Sequence, residues 1–317
     1  MLRGSWRGAS LAILAGLALS LVACSQFGKL QAKRAFKDAN VQYTQQEYKK
    51  AAKLYEEAVA ADPTMSVAYF YLANSYDNMY KPARKGEKEN DEYLTKAVED
   101  YKKASEMDGG DPKLRKLALE FLVAAYGPDK LNDPSQALPI VEKMIQIDPQ
   151  DTGSYFQLAK IHEDAGEYDK AEAILLKAKE ARPNDPTVYL QLGGFYNRQE
   201  EFGKTMEALN QRAAIEPNNP EAFYTIANYY WDKAYRDFRL KEQEKKDYVA
   251  KGLEAIDKAL QLKPDYMEAV TYKGLLLRVQ ATLEKDVAKQ QSLIKEAEKL
   301  QAEAKELQKK KVSGVAK

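Results

Sequence analysis

The chain contains one cysteine, Cys24, and one histidine, His162, and these two residues limit the chemistry it could perform. A single cysteine cannot form an intrachain disulfide, and one cysteine with one histidine cannot supply the ligands of an ordinary zinc site. Catalysis by His162 would need an acid or a nucleophile supplied from elsewhere. The sequence has no nucleophile elbow, no phosphate-cradling glycine loop and no metal-ligand spacing. We therefore expect no enzyme activity, no cofactor and no metal site.

Cys24 lies at the end of the amino-terminal apolar segment. Arg3 and Arg7 precede an apolar stretch over residues 9–22, which is short for a bilayer-spanning helix and has the length of a signal-peptide core. The residues Leu-Val-Ala-Cys that end at Cys24 resemble the lipobox of bacterial lipoproteins, in which the cysteine thiol takes a diacylglyceryl group. Several acyl chains together hold a protein at a membrane far more firmly than one chain. The alternative is an uncleaved membrane helix that carries an inert thiol.

The lipobox resemblance implies an order for the amino-terminal segments and a location for the protein. It implies a signal peptide over 1–23, followed by a lipidated amino terminus and tether over 24–31. Ser25 after the cysteine resembles the pattern of Gram-negative lipoproteins that are sorted to the outer membrane. We therefore expect a lipid-anchored protein of the cell envelope, at the outer membrane and facing the periplasm. A cytoplasmic protein is the alternative if the lipobox is spurious.

The charge composition narrows the class of partner. The chain has 49 basic and 48 acidic residues, and 31% of its residues are charged while 44% are hydrophobic. This balance provides no strong electrostatic field for a nucleic acid, and the apolar fraction is sufficient for a packed core. We expect a folded, well-solvated protein that does not bind nucleic acid.

A repeat of 34 residues organises most of the chain. Pro149, Pro183 and Pro217 are each separated by 34 residues, and each follows an amphipathic helical pattern that it ends. Small residues recur at fixed places where two helices must approach closely, and large residues fill the complementary places. The period and the pattern resemble the tetratricopeptide repeat over about residues 32–300. The resemblance implies an all-α, right-handed superhelical solenoid of antiparallel helix pairs, with about six to seven repeats.

Two positions of this repeat carry most of the structural information, and we call the set of residues at one position in successive repeats a column. In one column His162 takes a place that tyrosines take in other repeats, which favours a packing role for the histidine. The tyrosines of that column are Tyr76, Tyr126, Tyr196 and Tyr230. The residues of the small column are Ala39, Ala73, Val123, Ala159, Gly193, Ala227 and Gly274. A further small column includes Gly252.

Two insertions and a long terminal helix depart from the regular repeat. The solenoid covers 32–283, with charged insertions near 77–93 and 232–248, where we expect lengthened helix pairs with solvated tips. Contact with a partner is the alternative role for these insertions. Leucine and alanine spacing over 284–311 predicts a long helix that caps the solenoid, and self-association is the alternative. Residues 312–317 are predicted to be a flexible tail.

The tetratricopeptide-repeat family binds extended peptides on the concave face of the first helices. Aromatic residues recur at the fifth position of several repeats and asparagines at the ninth, one helical turn later on that face. An asparagine amide can both donate to and accept from a peptide main chain, and aromatic rings supply apolar area. The alternative is that the rings pack between repeats while the asparagines face water. The predicted groove residues are Phe36, Asn40, Phe70, Asn74, Phe156, Tyr224, Asn228 and Trp231.

These features favour a scaffold over a catalyst. The first hypothesis is a membrane-anchored adaptor that binds protein or peptide partners and assists assembly or secretion of an envelope complex. The second is a regulator or recruiter of cell-wall enzymes, and the third is a cytoplasmic co-chaperone. The basic clamp of chaperone-tail receptors is not reproduced, because Phe36, Leu117 and Phe121 stand where basic residues are expected. Replacing Asn40 and Asn74 with alanine is predicted to weaken partner capture without lowering the melting temperature.

Overall fold

The structure is a computed structural model that describes residues 26–107 and 110–313. These residues form α-helices joined by short connections, with no β-strand among them, so the predicted all-α class is confirmed. The signal peptide predicted over 1–23, the lipidation site Cys24 and residues 314–317 of the predicted tail lie outside the described residues. No helix in the described part of the chain combines the length and the apolar character that crossing a bilayer requires.

The helices fall into two units, one that ends at Ile161 and one that begins at His162. The first unit contains α1 (26–44), α2 (Tyr48–Ala61), α3 (Ser66–Met79), α4 (Lys88–Glu106), α5 (Pro112–Ala125), α6 (Pro134–Ile147) and most of α7 (Thr152–Asp164). The second contains the end of α7, α8 (Tyr168–Ala181), α9 (Pro186–Arg198), α10 (Phe202–Ile215), α11 (Pro220–Arg236), α12 (Glu242–Leu262), α13 (Met267–Leu283) and α14 (Val287–Val312). Within each unit, most successive helices pack against each other, as α3 does on α4 and α11 on α12.

The helix boundaries follow the proline and capping signals of the sequence. The prolines that repeat every 34 residues each stand just beyond a helix end, as Pro183 does after α8. The next helix then begins with a cap and a second proline, since Asp185 Oδ1 accepts a hydrogen bond from the main-chain N–H of Thr187 at 2.9 Å and Pro186 is the first helical residue. Asn219 and Pro220 begin α11 in the same way. The spacing of the repeat therefore sets the helix lengths.

Small residues lie where neighbouring helices approach most closely, as the repeat columns predict. A Cβ atom added to Gly252 of α12 would stand 2.8 Å from Leu276 Cδ2 of α13. One added to Gly193 of α9 would stand 3.0 Å from Leu209 Cδ2 of α10. Contacts this short admit a larger side chain only if the leucine side chain or its helix shifts.

The tyrosine column packs inside the helix pairs, and the hydroxyl groups of Tyr76 and Tyr196 reach carboxylates on neighbouring helices. Tyr196 is buried and donates a hydrogen bond to Glu172 Oε1 at 2.8 Å. Burial, and then the bonded Glu172 carboxylate, raise the pKa of Tyr196 to about 12. His162 takes part in the same kind of contact, because its Nδ1 lies 2.6 Å from Glu167 Oε2. The residues of this column are therefore packing residues, and Tyr76, Tyr196 and His162 each contact one carboxylate.

The first insertion forms an ordered tip between α3 and α4. A short 3₁₀ helix, Pro82–Arg84, fills the turn. The buried amide of Asn90 bonds both main-chain groups of Lys81, because Oδ1 accepts from the N–H at 2.8 Å and Nδ2 donates to the C=O at 3.1 Å. The Asn90 side chain therefore supplies the same pair of hydrogen bonds to this tip that the main chain of a neighbouring strand would supply.

The second insertion lengthens α11 and α12 to 17 and 21 residues. Asp237 follows α11, and its carboxylate accepts hydrogen bonds from the main-chain N–H of Arg239 at 3.0 Å and from Lys233 Nζ at 2.8 Å. The bonds from Arg239, followed by the bond from Lys233, hold the pKa of Asp237 well below its ordinary range. Phe238, at the end of this tip, is 87% exposed. In this insertion, the described residues therefore form lengthened helices with a solvent-exposed tip.

The two ends of the described chain are both helical. Residues 26–31, which the sequence assigns to a tether, belong to α1. At the other end, α14 packs along α13 and buries Ala297, and a Cβ atom added to Gly274 of α13 would stand 3.4 Å from the Ala297 main-chain oxygen. The long terminal helix predicted over 284–311 is therefore present, and it extends to Val312.

Candidate functional site

Four side chains form a stripe along one face of α11: Tyr224, Asn228, Trp231 and Tyr235. Their spacing of four, three and four residues places them above one another on the helix surface. The rings of Trp231 and Tyr235 stack, with centroids 5.2 Å apart and planes within 9°. Tyr235 is 64% exposed and Trp231 is partly exposed, so this stack is open to solvent. The stripe is therefore an accessible aromatic surface with one amide among the rings.

One tyrosine of α13 and the tyrosine just before that helix complete this surface. Tyr272 meets the ring of Tyr224 edge-on at 5.3 Å and 88°, and it meets the ring of Trp231 at 5.2 Å and 82°. Tyr266 lies against Tyr224 at 5.3 Å. These edge-to-face contacts are the favoured geometry for aromatic pairs, and they fix the ring planes before any partner binds. We call the four residues of the α11 stripe together with Tyr266 and Tyr272 the aromatic site.

The amide of Asn228 is weakly engaged inside the protein. Its Nδ2 lies 3.5 Å from the hydroxyl oxygen of Tyr224, which is the outer limit of a hydrogen bond. Within the described part of the chain, Oδ1 of Asn228 accepts no hydrogen bond. A partly exposed amide in this state retains both donor and acceptor capacity for a ligand.

Two carboxylates lie at one end of the aromatic site. Glu221 is in the first turn of α11 and Glu268 is in the first turn of α13. Burial raises the pKa of Tyr266 to about 12, and the nearby charges of Glu221 and Glu268 add to that rise. Both carboxylates have loose cationic partners, since Arg212 lies 3.3 Å from Glu221 and Lys311 lies 3.5 Å from Glu268. At this end of the site, each of the two carboxylates is therefore already paired with a cationic side chain.

In the first unit, the corresponding residues of α3 are built into the interior. Phe70 is 4% exposed and Asn74 is 7% exposed. Asn74 Oδ1 accepts hydrogen bonds from the hydroxyl of Tyr43 and, at 2.9 Å, from Asn78 Nδ2, while its own Nδ2 donates to the hydroxyl of Tyr101 at 3.1 Å. The amide is satisfied on both sides by the protein itself. The expectation that Phe70 and Asn74 contact a partner is therefore revised, because neither side chain is accessible.

The remaining predicted groove residues of the first unit are partly buried. Asn40 accepts a hydrogen bond from the Tyr55 hydroxyl at 2.6 Å. The ring of Phe36 packs 5.6 Å from that of Tyr55 and 6.0 Å from that of Tyr71. Phe156 lies partly buried on α7. Of the eight predicted groove residues, the structure brings Tyr224, Asn228 and Trp231 together in an open site.

A lysine from the connection between α5 and α6 closes the α3 face. Lys130 forms an ion pair with Asp77, the side chain of which is only 8% exposed. The main-chain oxygen of Lys130 accepts a hydrogen bond from Lys85 Nζ of the first insertion at 2.9 Å. The irregular segment that carries Lys130 therefore has a structural role, because its lysine neutralises the buried Asp77 carboxylate close to Asn74 on α3.

Sequence reasoning missed the contributions of Tyr235, Tyr266 and Tyr272. A usable signal existed for Tyr235, because it continues the spacing of Tyr224, Asn228 and Trp231 by one further turn, although it falls in the region interpreted as an insertion. The other two tyrosines are on the next repeat and reach the site through tertiary packing. Among the described residues, no three His, Cys, Asp or Glu side chains are grouped so that they could hold a metal ion.

Comparison with known proteins supports the fold. Residues 130–193 match the model of a family described as tetratricopeptide repeat, and no curated protein matches the sequence. The crystal structure of the C-terminal part of a TPR repeat-containing protein from Cytophaga hutchinsonii is 15% identical, covers 84% of this chain and 95% of that one, and superposes with a TM-score of 0.57. At this identity the likeness shows the fold alone. The described helices therefore have the arrangement of tetratricopeptide-repeat proteins.

Other solved structures match a smaller part of the chain. MamA from Desulfovibrio magneticus RS-1 is 17% identical, with 61% of this chain and 95% of that chain covered and a TM-score of 0.42. YrrB, described as a TPR protein with an unusual peptide-binding site, is 21% identical, with 60% of this chain and 89% of that chain covered and a TM-score of 0.41.

Proposed function

We propose that this protein is a non-catalytic scaffold that binds extended segments of partner proteins at the aromatic site, and that a lipid on Cys24 anchors it in the cell envelope. The observation that carries the proposal is the open stripe of Tyr224, Asn228, Trp231 and Tyr235 on α11. Its partners belong to the assembly or the secretion of an envelope complex. It acts at the outer membrane and faces the periplasm.

The chemistry of the aromatic site fits an extended main chain better than a small polar ligand. Aromatic side chains contribute about 150–250 Å² each to a contact surface, and the stacked pair of Trp231 and Tyr235 gives such area without the need to order a flexible side chain. The amide of Asn228 can bond one peptide unit of a partner without regard to its side chains. Rings for area and an amide for the main chain are the two components of extended-peptide recognition.

A photo-crosslinking amino acid at position 235 tests the binding proposal in intact cells. Because Tyr235 is exposed and stacks on Trp231, we expect crosslinks to a small set of proteins, mapped by mass spectrometry to extended segments. The matched control is the same substitution at Tyr168 in the same unit, where a tyrosine is 48% exposed at the start of α8. Crosslinks of equal yield and identity from both positions would contradict binding at the aromatic site.

The anchoring proposal rests on the lipobox residues and has its own test. We expect the mature protein to begin at Cys24 with a mass increment that corresponds to lipid, and to fractionate with the outer membrane. Cys24→Ser is expected to release the chain from membranes or to leave the precursor unprocessed. A wild-type chain that retains residues 1–23 and fractionates with the cytoplasm would rule out the anchor while leaving the binding proposal intact.

A further inference from the structure

The spacing of the rings on α11 matches the repeat of a polyproline II helix. Tyr224 and Trp231 are seven residues apart, which corresponds to about 10.5 Å along the helix axis. A polyproline II segment has three residues per turn and advances about 9 Å along its axis in each turn. Prolines three residues apart, on a segment that runs along α11, would therefore each meet one of these rings.

The fixed ring planes and the free amide also favour this conformation. Tyr272 holds Tyr224 and Trp231 in edge-to-face contact, so the apolar surfaces are ordered before binding. A polyproline II helix has no internal hydrogen bonds and presents its carbonyl groups outward, where Asn228 can donate to one of them. A helical ligand satisfies its own main chain and has no equivalent use for Asn228. A segment that is already extended also loses little conformational entropy on binding.

The charges beside the site favour a cation at one end of the segment. Glu221 and Glu268 stand next to the Tyr224 and Tyr266 pair, and their local partners lie at 3.3 Å and 3.5 Å. Lys263 Nζ already lies 5.2 Å from the centre of the Tyr266 ring, which shows that this ring accepts an ammonium group. A lysine or arginine of the partner would exchange with these local cations at the two carboxylates and at the Tyr266 ring.

We infer that the aromatic site recognises an extended proline-rich segment in polyproline II conformation, with a lysine or arginine at the end that lies against Glu221 and Glu268. This inference rests on the proposed function and adds the chemistry of the partner to it. Prolines pack on Tyr224 and Trp231, the main chain meets Asn228, and the stack of Trp231 with Tyr235 extends the surface. The acidic end sets the direction of the segment.

Binding of defined peptides to the purified full chain tests this recognition. The probe is a set of fluorescein-labelled peptides in which one lysine precedes several Pro-Pro-Ala triplets, with one version that has alanine for every proline and another that has glutamate for the lysine. Trp231 is the one tryptophan of the sequence from Cys24 onward, so it reports binding at the site, and a chain that retains residues 1–23 needs Trp6→Phe for the same purpose. We expect the affinity to fall by about tenfold or more without the prolines, and by about fivefold with glutamate.

Variants of the protein locate the binding. Tyr235→Ala removes an exposed ring that the fold does not need, and it is expected to weaken binding of the proline peptide about fivefold. Trp231→Ala, in a protein followed by anisotropy of the labelled peptide, is expected to weaken it by about tenfold or more, with a melting curve to verify folding. The matched control Tyr168→Ala, on an exposed tyrosine of α8, is expected to leave affinity unchanged.

Three results would overturn the inference. Equal affinity for the proline and alanine peptides at the site would refute the proline preference and leave the proposed function standing. Proline-peptide binding that is insensitive to Tyr235→Ala and Trp231→Ala would place the ligand elsewhere. Failure of the whole peptide set, together with specific crosslinks from position 235 in cells, would show that the site takes another segment or a second copy of the chain. If crosslinks from position 235 are also absent, the proposed function fails as well.

Discussion

The first-helix faces of α3 and α11 begin from the same sequence pattern and end in different states. Each has an aromatic residue followed four positions later by an asparagine, Phe70 with Asn74 on α3 and Tyr224 with Asn228 on α11. On α3 both are buried, whereas on α11 both are partly exposed and the amide is weakly bonded. This motif therefore marks a helix face, and the neighbouring helices decide whether the face is open.

Hydroxyl groups and a lysine make the difference between the two faces. Around Asn74, the Tyr43 and Tyr101 hydroxyls saturate the amide, and Lys130 neutralises the adjacent Asp77. Burial, followed by the charge of Asp77, raises the pKa of Tyr101 far above its ordinary value, and its hydroxyl oxygen accepts the hydrogen bond from Asn74 Nδ2. Asn228 has only the distant Tyr224 hydroxyl. The α3 face is therefore part of the core, and the α11 face remains a surface.

The largest effect is expected from breaking the closure of the α3 face. Lys130→Met leaves the buried Asp77 carboxylate without its partner and is expected to lower the free energy of unfolding by about 3 kcal/mol. The exposed pair of Lys246 and Glu242 supplies the control, since Lys246→Met is expected to change the free energy of unfolding by less than about 0.5 kcal/mol. Urea unfolding measures both variants. Equal losses would contradict the interior position of Asp77.

A smaller effect is expected from the two asparagines compared directly. Asn74→Ala removes the acceptor of the Tyr43 hydroxyl and the donor to the Tyr101 hydroxyl, and it is expected to cost about 2 kcal/mol of unfolding free energy. Asn228→Ala is expected to cost less than about 0.5 kcal/mol. Thermal unfolding of the two variants measures the difference. This reverses the sequence-based prediction that replacing Asn40 and Asn74 together leaves the melting temperature unchanged, and an unchanged melting temperature for Asn74→Ala would restore that prediction.

A substitution in the packing beneath α11 is expected to lower the free energy of unfolding less than the substitutions of buried polar groups do. Gly252→Ala would place a Cβ atom 2.8 Å from Leu276 and 3.3 Å from Tyr230 Cβ, and we expect a loss of about 1.5 kcal/mol as α12 shifts. Gly203→Ala is the matched control because no atom lies within 4 Å of the added Cβ. Chemical denaturation compares the two. If Gly203→Ala is as destabilising as Gly252→Ala, helix approach is not the cause.

The smallest effect is expected at the open end of the aromatic site. Tyr235→Ala removes a ring stacked on Trp231 and is expected to lower the free energy of unfolding by about 0.5–1 kcal/mol. Phe238→Ala, at an aromatic residue that is 87% exposed, is expected to change it by less than that. Thermal unfolding followed by circular dichroism resolves the pair. A larger loss from Phe238→Ala would mean that the tip packs more tightly than α11 itself.

The sequence predicts the fold here better than it predicts the site. Proline spacing and the small residues at Gly193 and Gly252 suffice for the helix pairs, because each rule acts through local backbone or close-contact sterics. The state of Asn74 depends on Tyr101 and Tyr43, which are 27 and 31 residues away. No periodic pattern encodes such partners. Tyr272 is a similar case, since its role follows only from the packing of α13 against α11.

The amide of Asn90 has a consequence for how the first insertion withstands proteolysis. The insertion carries Lys81, Arg84 and Lys85, which are cleavage sites for a trypsin-like protease, and all three are exposed. A protease must draw several residues of main chain into its cleft, and the two bonds from Asn90 to Lys81 oppose that local opening. Asn90→Ala is therefore a means to turn this tip into a nicking site without a change in its sequence of basic residues.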